Sequence, residues 1–203
     1  MLSMINFENS YKHGSVLASL FKLRYEQFFE RQNYETFVKG SREFDRYDTY
    51  ATNYLVYRDK ENNVLGASRK SPTTMPYMIE EIWPYLIKGD LPKSENVWES
   101  SRFCIDKNIP HQKRAEVLVH LVAAGQMFGL KNDIDYFVGV MHPAIWRSVF
   151  IKNGWPIEAL GDVHTLDDGS KVVAAKMPVS QKIMHEINQK NNLNLGSINL
   201  NVS

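Results

Sequence analysis

Residues 97–105 read Val-Trp-Glu-Ser-Ser-Arg-Phe-Cys-Ile, and the fold turns on how this stretch is read. Its apolar, β-branched and aromatic ends predict a strand, yet Glu99, Ser100, Ser101 and Arg102 fill its centre. Strand alternation places Glu99 on the side of Ser101 and Phe103, with Arg102 opposite. A strand polar on both sides cannot be wholly core. Either one face meets solvent, or a bulge near Ser100-Ser101 turns Glu99 and Arg102 toward one site.

Downstream, Pro110 opens a predicted helix over 110–130, with Val117, Leu118, Leu121, Val122 and Met127 on its apolar face. A strand over 135–141 follows, then a helix over 143–152 that stops at Asn153-Gly154. Two strands over 156–163 and 171–177, joined through Asp168-Gly169, and a helix over 180–189 complete this half. Upstream, a strand over 3–7 precedes a helix over 16–31, and the segment over 33–50 is irregular. A hairpin over 54–58 and 64–70 and a short helix over 78–86 lead back to the opening stretch. The order gives an α/β fold with a mixed, mostly antiparallel sheet and helices on its faces. With no internal repeat or linker, the expectation is one domain over 1–190 and a loose Asn-rich tail over 191–203.

The 203 residues carry 24 basic and 23 acidic side chains, so a net charge of +1 gives no support for nucleic-acid binding. The start, MLSMINFENSYKHG, has neither a basic n-region nor an apolar h-region, and no apolar run is long enough to span a bilayer. The expectation is a cytoplasmic protein without membrane association. A single cysteine, Cys104, excludes an intrachain disulfide framework, and its best reading is a small core residue. Six scattered histidines give no metal-ligand spacing, so no metal is expected. There is no Walker or dinucleotide fingerprint.

Two further stretches break the apolar pattern. Arg24 shares a helical stripe with Leu17, Leu20, Phe21 and Phe28, which aims its guanidinium inward or at a cleft. Residues 42–48, REFDRYD, hold Glu43, Asp45 and Asp48 among two arginines and two aromatics. Taken alone that segment is a solvated loop; alternatively its carboxylates and aromatic faces meet a cationic ligand.

Arg24, Phe28, the EFDRYD carboxylates, Arg69 in GASRKSP and the run Glu99 to Arg102 resemble the acyl-homoserine-lactone synthase (autoinducer synthase) family in order and spacing over roughly the first 105 residues. NGWP at residues 153–156 agrees more loosely, and Tyr34 stands where the family usually has Trp. The resemblance implies a three-layer, acetyltransferase-like fold with a splayed sheet that admits an acyl chain. It implies two substrates, S-adenosylmethionine and a fatty acyl group on acyl carrier protein (coenzyme A in a minority of members), and no cofactor. HQKRAE stands where a Gly-rich pyrophosphate loop would precede the long helix, which favours the carrier protein.

Under that resemblance Glu99 is the expected base that frees the amine, with Asp45 as the alternative and Arg102 and Ser101 beside them. Backbone amides near Phe103 would hold the thioester oxyanion. Arg24, Phe28, Tyr34, Asp45, Asp48, Arg69 and Phe103 would bind S-adenosylmethionine. The arginines would clamp either the ligand's carboxylate or those of Glu43, Asp45 and Asp48. Phe103, Met127, Val138, Gly139, Val140, Met141, Trp146 and Phe150 are the expected acyl contacts. Gly139, lacking a hydroxyl where 3-oxo-preferring members tend to carry Thr, points to an unsubstituted chain. Lys113, Arg114, Arg147 and Lys152 are candidates for docking the acidic carrier protein. Two other readings stay open: a related N-acyl amino acid synthase, and an inactive homologue that only binds acyl carrier protein.

Overall fold

The computed structural model describes residues 1–30 and 37–193. Strand β1 (Leu2–Ile5) is followed by helix α1 (Gly14–Arg24), which continues as a π-helical turn (Tyr25–Glu30). A short hairpin, β2 (Phe37–Val38) and β3 (Glu43–Phe44), precedes β4 (Asn53–Arg58) and β5 (Val64–Pro72). Then come α2 (Met78–Ile82), β6 (Val97–Ile105), α3 (His111–Lys131), β7 (Tyr136–Met141) and α4 (Pro143–Ile145). Two-residue strands β8 (Glu158–Ala159) and β9 (His164–Thr165), long β10 (Lys171–Pro178) and α5 (Gln181–Asn191) close the chain. The main sheet runs β1-β4-β5-β6-β7-β10-β8, with β9 also on β10. All its pairings are antiparallel except β6 with β7.

Helices cover both faces of the central strands. On one face α1 packs Val16, Leu20 and Leu23 against Ile5, Val56, Ala67 and Cys104. On the other, α3 and α5 bury Leu121, Val122, Phe128, Phe137, Trp155 and Ile187 in the largest core. Burial of each large apolar side chain contributes about 1.5–3 kcal/mol. The approach of α3 is close enough that a Cβ on Gly66 would stand 2.5 Å from Val117 Cγ1. A third core lies around Tyr77, Ile79, Leu86, Val97, Val138 and Val172.

Two irregularities position the site. Opposite β5 the register jumps from Ala67↔Cys104 to Arg69↔Ser101, so Arg102 and Phe103 together face Ser68. Arg102 takes φ +51° there, a left-handed conformation strained for a side chain of its size. This bulge lies one to two residues beyond the expected place, and it puts Ser101 and Arg102 on the α1 face in succession. Second, β6 and β7 pair only over Val97↔Tyr136, Trp98↔Phe137 and Glu99↔Val138. Past Glu99, β6 continues with β5 while β7 stays with β10, and the sheet splays into a cleft.

Three expectations change. The helix over 16–31 ends its α-geometry at Arg24 and widens into the π turn, and the helix over 143–152 divides into an α turn, a π turn (Trp146–Phe150) and a 3₁₀ turn (Ile151–Asn153). The strand over 156–163 is reduced to β8, because Leu160, whose N–H still bonds Ala174 O of β10, turns its carbonyl away to Lys88 N at 2.8 Å. Of the expected tail over 191–203, residues 194–203 lie outside the described residues.

Candidate active site

The polar residues of α1, the β3 region, β5 and β6 meet on the α1 face as an interlocked cluster. Arg24, 1% exposed, donates Nε to Glu43 Oε2 at 2.5 Å and grips Asp48 through Nη1 and Nη2 at 2.8 and 2.9 Å. Arg69 bridges Asp45 Oδ1 at 2.5 Å and Asp48 Oδ1 at 3.0 Å, and its Nε donates to Ser101 Oγ at 3.0 Å. Arg102 reaches Glu43 Oε1 at 3.0 Å and Asp45 Oδ2 at 2.7 Å, with Phe28 5.2 Å from its guanidinium carbon. Three cations thus meet three carboxylates. Burial alone would lower the Arg24 pKa, but Asp48 and Glu43 outweigh it and hold it raised. Burial alone would raise the Asp48 carboxyl, but Arg24 and Arg69 hold it well below the ordinary carboxylate range.

Asp48 accepts from Arg24, Arg69, Tyr54 Oη and its neighbour Asp45 N, so the protein's own donors take up both oxygens. Glu43 is fully buried between Arg24 and Arg102. Both residues hold the arginines in place, and the substrate contact expected of Asp48 has no lone pair left to make it.

Glu99 differs. It is fully buried, Oε1 accepts the backbone N–H of Ile79 at 2.8 Å, and Oε2 has no hydrogen-bond partner among the described residues. Burial pushes its pKa up, opposed by Arg69 and by amides at the start of α2. Glu99 lines a cavity of about 170 Å³ together with Phe28, Ser100, Ser101, Arg102 and Phe103. A second, wider hollow of about 640 Å³ shares Phe103 and Ile145 with it and is rimmed by Lys107, His111 and Arg114. The first opens along the splay of β6 from β7, and the second between the end of β6, the start of α3 and the turns after α4. Acid, arginine and aromatic groups therefore converge on one hollow.

The expected acyl contacts divide by alternation along β7. Phe103, Met127, Met141, Trp146 and Phe150 belong to the core beneath α3. Val138 and Val140 face the third core instead, although Val140 also lines the smaller cavity. Gly139 lets the Trp146 ring in: a Cβ there would lie 3.1 Å from it and 3.0 Å from Ser100 O. Of the docking candidates, Arg114 stands on the rim, while Lys113 turns away to Glu116 Oε1 at 2.9 Å and Tyr57 Oη at 3.2 Å. Arg147 and Lys152 are exposed and line neither hollow. Tyr34 lies outside the described residues. The Cys104 thiol is buried and pushed up to about 12 by that burial, a core residue and no nucleophile.

Comparison with known proteins adds a name to this geometry. A sequence model of the family described as autoinducer synthase matches residues 6–187. The chain belongs to the autoinducer synthase family. The acyl-homoserine-lactone synthase of Aliivibrio fischeri is 31% identical over 169 residues, 80% of this chain and 86% of that one. A solved CoA-dependent acyl-homoserine lactone synthase, BjaI, with SAM and isopentyl-CoA, superposes with a TM-score of 0.84 at 27% identity, over 95% of this chain and 90% of that one. A putative N-acetyltransferase from Lactobacillus plantarum shares the fold, with a TM-score of 0.56 at 14% identity over 88% of this chain and 99% of that one. The splayed sheet of this autoinducer synthase is thus the acetyltransferase-like one. Among the described residues no helix is long and apolar enough to cross a membrane.

Sequence reading passed over Lys70 and Ser71, although three successive polar residues, Arg69 to Ser71, in a strand flanked by helices were a visible signal. The helix expected over 78–86 is observed as α2, while the bond from its Ile79 amide to Glu99 had no signal in the sequence.

Proposed function

We propose that this acyl-homoserine-lactone synthase transfers a fatty acyl group from a thioester to the α-amino group of S-adenosylmethionine and closes the lactone with release of 5′-methylthioadenosine. The observation that carries this is Glu99: a buried carboxylate with one free oxygen, lining the cleft where β6 leaves β7. A carboxylate with a raised pKa is a competent acceptor for a proton of the substrate ammonium, directly or through water. The freed amine attacks the thioester carbonyl, the C–S bond breaks, and the thiol leaves with the amine's second proton. Backbone amides near Phe103 stabilise the oxyanion meanwhile. The substrate carboxylate then attacks its own γ-carbon, and the sulfonium leaves as a neutral thioether. That step needs alignment and no further base.

Opposite charge is also available to orient the amino acid. Arg69 Nη2 has no hydrogen-bond partner among the described residues, a donor suited to the substrate carboxylate. Phe28 offers an aromatic face to the sulfonium.

For the acyl donor we favour carrier protein. Lys107, His111 and Arg114 put basic and imidazole groups at the wider mouth, and HQKRAE begins α3 without a Gly-rich phosphate loop. The CoA-bound BjaI complex supports the second reading, a coenzyme A donor. Incubation with S-adenosylmethionine and matched acyl-carrier-protein and acyl-CoA donors, with mass measurement of products, tests all of this. The expected products are acyl-homoserine lactone and methylthioadenosine, formed about tenfold faster from the carrier protein. An N-acyl amino acid without methylthioadenosine would overturn the lactone reading, and faster turnover from coenzyme A would reassign the donor.

A further inference from the structure

Opposite the arginine cluster, the same two strands hold a second polar pair. Lys70 and Ser100 are register partners on β5 and β6, one position from Arg69 and Ser101. Their side chains point to the α3 face, and they are 3% and 2% exposed. Lys70 Nζ donates to Ser100 Oγ at 2.6 Å and lies 4.6 Å from the centre of the Phe137 ring. A Cβ on Gly125 of α3 would be 3.9 Å from the nitrogen. Among the described residues no carboxylate pairs with Lys70. Phe137 belongs to the same core as Phe103, Met127, Trp146 and Phe150.

A lysine in such a place is costly. Burial with no counter-charge pushes its pKa down to about 7. Its Nζ carries more N–H donors than the single bond to Ser100 uses, and Ser100, accepting from Lys70, keeps its own O–H to give away. An apolar residue would fill the site more stably. The pair is therefore two spare donors set in an otherwise apolar compartment. Ser100 also lines the cavity that holds Glu99, so the pair borders the space that the proposed function gives to the acyl thioester.

We infer that Lys70 and Ser100 form a polar subsite that selects acyl chains bearing oxygen on one of the first carbons beyond the thioester, as a 3-hydroxy or 3-oxo group. This inference rests on the reading that the cleft takes an acyl thioester, and it replaces the unsubstituted chain expected from Gly139. A chain oxygen would accept from Ser100 Oγ and Lys70 Nζ, whereas an unsubstituted chain would leave these donors buried and unpaired. Sites built to hydrogen-bond a substrate oxygen discriminate strongly against analogues that lack it.

The test compares 3-hydroxy, 3-oxo and unsubstituted acyl donors of one chain length with the wild type, Lys70→Met and Ser100→Ala. The wild type is expected to favour one oxygenated donor in kcat/KM by roughly tenfold or more. Lys70→Met should abolish that preference while turnover of the unsubstituted donor stays within about threefold. A wild type without preference, or a Lys70→Met variant that keeps it, overturns the inference. Thermal unfolding separates a structural role, because Lys70→Met should melt at or above the wild-type temperature and a lower midpoint counts against the subsite. Binding of non-hydrolysable thioether analogues, followed by tryptophan fluorescence, is read in parallel. If no donor yields lactone but the oxygenated analogue still binds preferentially, the function reading fails and the subsite stands. Equal binding of all analogues sinks the subsite.

Discussion

Adjacent rungs of one strand pair, Arg69↔Ser101 and Lys70↔Ser100, show two treatments of buried charge. On the α1 face Arg69 joins a set in which every carboxylate meets a guanidinium, and the guanidiniums are shared among Glu43, Asp45 and Asp48. On the α3 face Lys70 has a serine, an aromatic ring and no counter-ion among the described residues. Mutual charge holds the carboxylates of the first arrangement, which is expected to keep shape, and leaves over only the Arg69 Nη2 donor offered to the substrate. The second is left unsatisfied, and so is Glu99 Oε2 at the cleft. Buried groups short of partners are destabilising, and under the two proposals a ligand supplies what Glu99 and Lys70 lack.

Glu99→Gln is the strongest test of that distinction. If the free oxygen is kept for proton transfer, the amide should lower kcat/KM by about 10²–10⁴-fold. The same change should stabilise the fold above the ordinary carboxylate range. A carboxyl whose folded pKa is raised stays protonated in both states at low pH, and ionising it costs stability as pH rises through the raised value. Gln removes that cost. Activity of the wild type should rise with pH along the same limb. A variant that is both active and less stable would place Glu99 with the scaffold.

The partnered face predicts the reverse pattern. Arg24→Met leaves Glu43 and Asp48 buried without their main cation, and should destabilise by about 3–5 kcal/mol, measured by urea unfolding. Its activity at low temperature, where the fold persists, should fall far less than that of Glu99→Gln. The acid limb carries the same logic. The depressed folded pKa of Asp48 makes its contribution complete above the unfolded value of about 3.9 and lost as pH falls through the lower folded one. Asp48→Asn should flatten that dependence below about pH 4. An Arg24→Met protein as stable as the wild type would dissolve the distinction between the faces.

These faces were not equally legible in the sequence. The long strands and the α3 helix could be read from periodicity, and strand β6 was predicted over its observed bounds, while the two-residue strands β2, β3 and β9 were not. The residues of the arginine cluster were legible because they are charged residues set in apolar patterns. That they pair with one another was one of two readings open from the sequence, and the choice depends on the β2-β3 turn bringing Glu43 under Arg24. Lys70 was passed over because Arg69 beside it absorbed the polar signal, and strand alternation puts the two on opposite faces. The exact position of the bulge was hidden for a similar reason. A left-handed residue at Arg102 is decided by the cross-strand register with Ala67 and Arg69, which no local pattern contains.

The smallest effect concerns the rim, where neighbouring charges also differ in their partners. Lys113 is held by Glu116 and Tyr57, and its ammonium lies 5.0 Å from the Tyr57 ring centre. Arg114 is exposed on the wider mouth beside His111 and Lys107. A rim charge acts mainly through encounter and salt dependence, with an effect near 1 kcal/mol or less. Arg114→Gln should therefore raise KM for an acyl-carrier-protein donor by about threefold to fivefold at low salt, with kcat unchanged. The difference should vanish at high ionic strength, because screening reaches full effect for exposed charges. Lys113→Gln should change KM by less than about twofold, since its charge is already neutralised by Glu116. Equal effects from the two variants would mean that total positive charge near α3, and not a partner-free group at the mouth, attracts the donor.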